Sequence, residues 1–417
     1  MNVVGMIVEY NPFHNGHLWH LNEAKRISGA QFAIGIMSGN FLQRGEPAIA
    51  DKWSRAAMAV QAGADLIIEL PTVFSVRSAQ YFAAGGIQLL SRLGVVSHVC
   101  FGTETPDLSL LTSVANGLNK QGVIDRMRQQ MKTGQTYAAS LAAALSTESG
   151  VAASLIQTPN NLLAIEYLRA ITAYAPQLKP LPIQRLGANY HDNQVTATIA
   201  SATAVRTALL ENSVLSPSSM VWKSLPPACA SQINNLVSLG RVPVTLQAFS
   251  DMILAKIRTM SLDDLAALPE VTEGLHNRIS AAALKATTVQ ELLFYSKSKR
   301  YTLTRLQRII IYALLGITKD KLTQFDQLGP LYARVLAFNR NGRKLLKEIS
   351  NQATVPVITK TAQFLTSKQR QHSNLPPLQA MLAYDVVTTD IYVLGSPNCQ
   401  WRSGGQDYQA SPHYIPD

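Results

Sequence analysis

Cysteine is scarce in this chain. Among 417 residues there are three, Cys100, Cys229 and Cys399, and no CxxC pair. That spacing excludes a disulfide framework and a structural zinc site, and it fits a reducing compartment. No run of roughly 18 uninterrupted apolar residues occurs, so no membrane span is expected. The sequence starts on strand-like residues rather than a basic stretch with a long apolar run. No secretory signal is expected, and the chain is assigned to the cytoplasm. Internal repeats and low-complexity tracts are also missing. Charged residues make up 15% against 47% hydrophobic, the balance of a soluble globular protein with room for two or three domains.

Acidic charge is short in one half. Residues 1–213 carry 15 Lys+Arg and 13 Asp+Glu, a net +2, whereas residues 214–417 carry 22 and 13, a net +9, which together make the +11 of the chain. A basic half joined to a nearly neutral one points to a polyanionic partner, most simply nucleic acid, with general solubility charge as the alternative.

Strand-like runs at Val3–Val8, 32–37, Leu66–Leu70 and 95–101 alternate with helical patterns at 17–28, 52–62 and 79–93. Alternation of this length predicts βαβ units and a parallel sheet. The loops at 11–16, 38–48, 71–77 and 102–106 should then gather at one sheet edge. Residues 107–147 read as helices, and Thr158 with Pro159 opens another. A fifth strand is expected at 181–186 and a helix from Ser201 to Leu210. The Ser- and Pro-rich stretch 213–227 reads as a boundary. The predicted division is 1–212, a Rossmann-like α/β nucleotide-binding domain; 213–329, a mostly helical basic domain; and 330–417, a small α/β region with a loose end.

The turn Asn11-Pro12-Phe13-His14-Asn15-Gly16-His17 follows the first strand, where ligands bind at an open parallel sheet. A helix start offers unpaired N–H groups and the positive dipole end. Gly16 lets the backbone approach a phosphate, and His14 and His17 can hydrogen-bond its oxygens. The expectation is a phosphate site of backbone amides and two imidazoles, with a capping histidine or a metal pair as alternatives. In the loop 38–47, Gly39 and Gly45 bracket Asn40, Gln43 and Arg44; Arg44 is a candidate phosphate or RNA contact unless the loop is an ordinary surface one. Gly102 leaves room for an adenine or ribose, unless it is a simple turn glycine. Of the pair Asn160-Asn161, Asn161 is favoured as a nucleotide contact and Asn160 as structural, while capping suits both. Arg185, at a strand end, suits a phosphate or ribose-adenine contact, with a surface ion pair as the alternative. Ser201, Thr203 and Arg206 at a helix start can hold phosphates, with capping by Ser201 alone as the alternative. Lys297, Lys299, Arg300, Arg305 and Arg308, with Tyr295, Tyr301 and Tyr312 interleaved, form a basic-aromatic cluster. Together with Arg340, Arg343, Lys344 and Lys347 they are placed to track an RNA backbone while a tyrosine stacks a base, unless they are a solvated helix face.

Residues 11–17 resemble the HxGH signature of the nucleotidyltransferase superfamily, and 199–206 resemble its ISSTxIR signature, with Ala200 and Ala202 as departures. The longer stretches 8–17, 37–47, 101–104, 159–161, 190–192 and 334–339 resemble the tRNA(Met) cytidine acetate ligase family over nearly the whole chain. That resemblance implies activation of acetate by ATP to acetyl-adenylate, with loss of pyrophosphate, then transfer of acetyl to N4 of the wobble cytidine in elongator tRNA(Met). It implies His14 and His17 as catalytic residues. ATP contacts would come from Ile7, Val8, Glu9, Tyr10, Asn11, Pro12, Phe13, His14, Asn15, Gly16, His17, Leu18 and His20. Gly102, Asn161, Arg185, Ser201, Thr203 and Arg206 would complete the ATP site, with Mg²⁺ accompanying the nucleotide and no metal site of the protein's own. Arg44, Lys299, Arg300, Arg305 and Arg308 are the expected tRNA contacts, and no obligate protein partner is expected. The alternatives are a small-molecule adenylyltransferase and a non-catalytic RNA-binding protein on the same scaffold.

Overall fold

The structure, a computed structural model, describes residues 1–118, 120–133, 158–185, 200–211 and 215–416, with positions 135, 139–141, 143, 144 and 155. Leu186, the stretch Tyr190-His191-Asp192 and Ile199 lie outside the described residues.

Five strands, β1 (Val3–Val8), β2 (Phe32–Ser38), β3 (Leu66–Leu70), β4 (His98–Thr103) and β5 (Lys179–Gln184), run parallel in the order β5-β4-β1-β2-β3. Their side chains divide by the two-residue period of a strand. Ile34, Ile36, Leu66, Ile68, Val99 and Phe101 enter one apolar cluster. Ala33, Met37, Ile67 and Cys100 enter the other. Helices Ala79–Arg92 and Pro159–Tyr174 cover the first face, and helices Asn15–Ser28 and Lys52–Gln61 cover the second. A sheet covered on both faces accounts for nearly continuous apolar strands. Because the five strands are parallel, their carboxyl ends and the loops that follow share one edge, as the alternation predicts.

The sheet does not end with the N-terminal part. β6 (Ala333–Phe338) pairs antiparallel with β3, and β7 (Val357–Ile358) and β8 (His413–Tyr414) pair with β6. The region 330–417, expected as a small α/β region of its own, therefore extends the first sheet. Val335 faces one cluster and Leu336 the other. The helical stretch is likewise continuous with the first face: Phe249, Ile253, Leu292, Ile309 and Phe325 belong to the same apolar cluster as β2 and β3. Among the described residues no helix is long and apolar enough to cross a membrane.

A buried ion cluster fastens the C-terminal segments. Lys52 Nζ lies 2.9 Å from Glu69 and 2.9 Å from Asp407. Arg334 pairs with the same two carboxylates. All four side chains are buried. Burial alone would raise the Asp407 carboxyl, but Arg334 and Lys52 hold it below the usual range. Removing one member of a buried cluster leaves uncompensated charge, typically at a cost of about 3–5 kcal/mol. Asp407→Asn should accordingly lower the urea unfolding free energy by about 3 kcal/mol; a change under about 1 kcal/mol would show that the cluster does not hold the two ends together.

Candidate functional site

The site begins where β1 ends. Tyr10 has a left-handed backbone (φ 48°), which a non-glycine residue adopts only when its surroundings hold it there. Here the Asn11 side chain accepts the Ile49 N–H at 2.7 Å, and Arg55 donates to the Glu9 carbonyl. Helix Asn15–Ser28 then starts with His14 as its N-cap. His14 Nδ1 accepts the Gly16 N–H at 3.0 Å, and His17 Nδ1 accepts the His14 N–H at 3.3 Å. The histidines thus make a capping box of the kind Ser and Glu usually form. Their rings stack with centroids 3.7 Å apart.

This corrects one expectation. The backbone amides at the helix start do not face an incoming anion. Asn15 N–H donates to the Ser224 carbonyl at 2.9 Å, His17 N–H to the His14 carbonyl at 2.8 Å, and Gly16 N–H to the His14 ring. What remains is imidazole. Because each Nδ1 accepts, each proton sits on Nε2, so both rings present an Nε2–H donor. Burial, then Arg185 and Arg206, push His14 down to about 3; burial, then His14 and Arg185, lower His17 well below its ordinary value. His20, 3.7 Å from the Cys100 sulfur, is lowered to about 4 by burial and then by Arg185. The histidines are neutral donors, and the cationic charge near them belongs to arginine.

The second signature meets the first. Arg206 Nη1 donates to the Asn11 carbonyl at 3.0 Å and Nη2 to Thr203 Oγ1 at 3.2 Å. Ser201 Oγ accepts the Ala204 N–H at 3.0 Å, the cap that competed with its phosphate role. Glu9 accepts the Gln43 N–H at 2.7 Å, tying β1 to the loop that carries Arg44. Burial raises the Glu9 carboxyl, while the Gln43 amide, Arg44, Arg55 and Arg206 oppose that rise. The sequence reading missed Arg55. It is buried, and its guanidinium donates to the carbonyls of Glu9, Ser38, Gly39 and Ala50. A lone arginine inside the apolar helical segment 53–62 was the signal.

On the far side, Arg185 lies over Gly102: a Cβ there would stand 3.3 Å from Arg185 Cγ. Arg185 Nη1 donates to Asn160 Oδ1 at 3.4 Å. Both asparagines are hydrogen-bonded within the protein. Asn161 Oδ1 accepts the Glu104 and Thr105 N–H groups, both at 3.0 Å, and the Thr103 hydroxyl, so its buried amide shapes the end of β4. Asn160, half-buried, bridges Glu104 (2.6 Å) and Arg185. Among the described residues no group of three or more His, Cys, Asp or Glu could hold a metal ion.

The basic cluster separates in two. Arg308 is buried and makes a bidentate pair with Glu270 at 2.8 and 2.7 Å, and Arg305 donates to the Glu270 carbonyl and to Thr272. Neither forms an open phosphate face, and Tyr301 and Tyr312 are buried. Helical spacing put the arginines on one face, but Glu270, a left-handed residue (φ 63°), fills that face. Gly45 (φ 79°) docks on the same helix, where a Cβ would stand 2.4 Å from the Arg308 nitrogen. Lys299 and Arg300 stay exposed, and Arg300 pairs with Glu273.

A parallel α/β sheet whose carboxyl edge joins an HxGH turn to a Ser-x-Thr-x-x-Arg helix start defines a nucleotidyltransferase. The HIGH nucleotidyl transferase family matches residues 1–407. The chain is 38% identical over 416 residues to a protein of Acetivibrio thermocellus named tRNA(Met) cytidine acetate ligase, covering 98% of each. It is 36% identical over 422 residues to a protein of the same name from Syntrophomonas wolfei, covering 99% of each. Two crystal structures of Thermotoga maritima TmcAL align over 100% of both chains: the apo form with TM-score 0.92 at 30% identity, and a form bound with alpha-thio ATP with TM-score 0.91 at 29%. The chain belongs to the tRNA(Met) cytidine acetate ligase family.

Two outcomes follow from the geometry. The unfolded chain takes up histidine protons near the ordinary value of 6.5, whereas folded His14 does so only near 3. Protons favour unfolding between those values: the stability is full above about 6.5 and is lost as pH falls toward 3. Ring resonances of His14 and His17 should show no titration between pH 8 and 5 in the unliganded protein; a midpoint near 6 for either would refute the neutral assignment. Arg308→Ala should cost about 2–3 kcal/mol in chemical unfolding, because it strands Glu270, whereas a solvated face would lose nothing measurable.

Proposed function

We propose that this chain is an ATP-dependent ligase of the cytoplasm that activates acetate as acetyl-adenylate and transfers the acetyl group to N4 of the wobble cytidine of elongator tRNA(Met). The observation that carries the reading is likeness over nearly the whole length, at 38% identity, to a protein named tRNA(Met) cytidine acetate ligase. The junction of the two signatures through Arg206 and Asn11 supports an ATP site, as does the alpha-thio ATP bound by the T. maritima relative.

Acetate is a poor acyl donor because its leaving group would be oxide, and adenylation replaces that with AMP. Attack of the acetate oxygen on the α-phosphorus releases pyrophosphate, so the protein's task is alignment and charge stabilisation. The Nε2–H groups of His14 and His17 donate to phosphate oxygens, and Arg185 and Arg206 supply fixed positive charge. Thr203 and Ser201 stand at the same edge. Mg²⁺ arriving with the nucleotide would supply further positive charge at the phosphates. In the second step the cytidine N4 forms the amide bond, the acyl–phosphate bond breaks, AMP leaves and the amine gives up a proton. Arg44, Lys299 and Arg300 are the proposed tRNA contacts that remain from the sequence reading.

ATP–pyrophosphate exchange with a panel of acids tests the proposal. Exchange should require acetate, and labelled acetate should then pass to tRNA(Met). Exchange only with a phosphopantetheine- or nucleotide-like acceptor would show a small-molecule adenylyltransferase, and no ATP turnover would show a scaffold that only binds RNA. His17→Ala should lower exchange by about a hundredfold or more, the loss seen when a preorganised donor is removed, while tRNA affinity changes less than twofold. Equal loss of both would contradict the separate roles given to the two regions.

A further inference from the structure

Helix Val289–Ser296 buries Val289, Leu292 and Leu293 and turns two aromatic rings outward. Phe294 is 75% exposed and Tyr295 41%, and their rings touch edge to face with centroids 5.5 Å apart. Large aromatic side chains side by side on a surface mark an interaction site. The support is rigid: Arg278 donates to the Ser296 carbonyl at 2.7 Å and the Lys297 carbonyl at 2.6 Å, pinning the end of the helix. Lys285, Lys297 and Lys299 are exposed nearby in the chain, and among the described residues none has a carboxylate partner.

The position is as informative as the composition. Lys299 is followed by Tyr301 and by helix Leu303–Leu315, whose Arg308 backbone packs on Gly45 of the loop tied to Glu9. From Lys299 to Leu303 is at most about 14 Å of extended chain, and from Leu303 to Gln307 about 6 Å of helix. The aromatic pair and its lysines are thus joined by a short segment to the helix on which the Gly45 loop docks.

We infer that Phe294 and Tyr295, with the exposed Lys285, Lys297 and Lys299 near them in the chain, form a stacking platform for unpaired RNA bases. The inference rests on the tRNA reading proposed above and gives that partner a surface. The chemistry favours single-stranded RNA over a second copy of the chain. An aromatic face stacks any base, and lysines neutralise the adjoining phosphates. A symmetric contact between two copies would instead press like-charged lysines together. The platform replaces the one drawn from sequence, because Tyr301, Tyr312, Arg305 and Arg308 face inward and Phe294, unmarked by any charge pattern, faces out.

The test compares wild type with Phe294→Ala/Tyr295→Ala and with Lys297→Ala/Lys299→Ala. The probes are an RNA hairpin with a CAU loop and a fully paired RNA duplex of the same length. Loss of stacking should weaken hairpin binding by about tenfold or more while duplex binding stays within twofold. Loss of the lysines should reduce the slope of log affinity against log salt by about 1.4. Circular dichroism and the melting temperature check that both variants fold. Unchanged hairpin affinity in the aromatic variant overturns the platform. So does a wild-type dimer, seen by light scattering, that the aromatic variant dissolves. Acetate-dependent pyrophosphate exchange by the wild type separates the two readings: exchange without hairpin binding removes the platform and leaves the activation step, whereas hairpin binding that depends on the aromatic pair without exchange removes the ligase reading and leaves the platform.

Discussion

Four charges with almost no access to water hold this molecule in one piece. Lys52 and Arg334 sit against Glu69 and Asp407, so the start of an N-terminal helix, a central strand, a C-terminal strand and the short helix Gln406–Gln409 meet at one point. Such a cluster tolerates little displacement, since moving any one member leaves the others unbalanced in a medium that screens poorly. A third carboxylate, Asp385, is close by; burial, then Glu69, pushes it up to about 7, and it accepts the Thr72 N–H at 2.7 Å. Helix Lys52–Gln61, anchored by its first residue, carries Arg55 one turn on. Arg55 joins the carbonyl ends of β1 and β2. The constraint at the ion cluster thus reaches the strand ends from which His14 and the loop at 39–47 project.

Much of the central sheet was legible because its strands are buried on both faces and need no partner to announce themselves. Val3–Val8 and Leu66–Leu70 are apolar runs of strand length, and the helices between them show the three-to-four residue period. The HxGH turn and the Ser201–Arg206 start were legible as local chemistry. β6 was not placed in that sheet, because an antiparallel strand arriving more than 260 residues after its partner β3 carries no local sign of where it will pair. The arginines of helix Leu303–Leu315 failed for a related reason. Spacing fixes which side chains share a face, not what that face meets, and here it meets Glu270 from a turn some forty residues earlier. Asn160 and Asn161 are adjacent and chemically identical, and only the direction of the helix decides which one turns inward to the end of β4.

The histidines sharpen what the proposed nucleotide site can be. A site that relied on imidazolium charge would weaken as pH rises through 7, and it would need protons to enter a place where burial and two arginines oppose them. The capping box removes that dependence. By accepting backbone N–H groups on Nδ1, His14 and His17 are held in one tautomer and one orientation before any ligand arrives, with Nε2–H as the available donor. Two neutral donors fixed by their own helix start reorganise little when charge develops nearby, the condition under which hydrogen bonds favour a transition state over a ground state. Arg206 ties that donor pair to the second signature through the Asn11 carbonyl, so the guanidinium that brings positive charge also sets the turn that aims the rings. Charge and aim are thereby divided between residue types, arginine for the first and histidine for the second, and the histidines stay neutral across the neutral range.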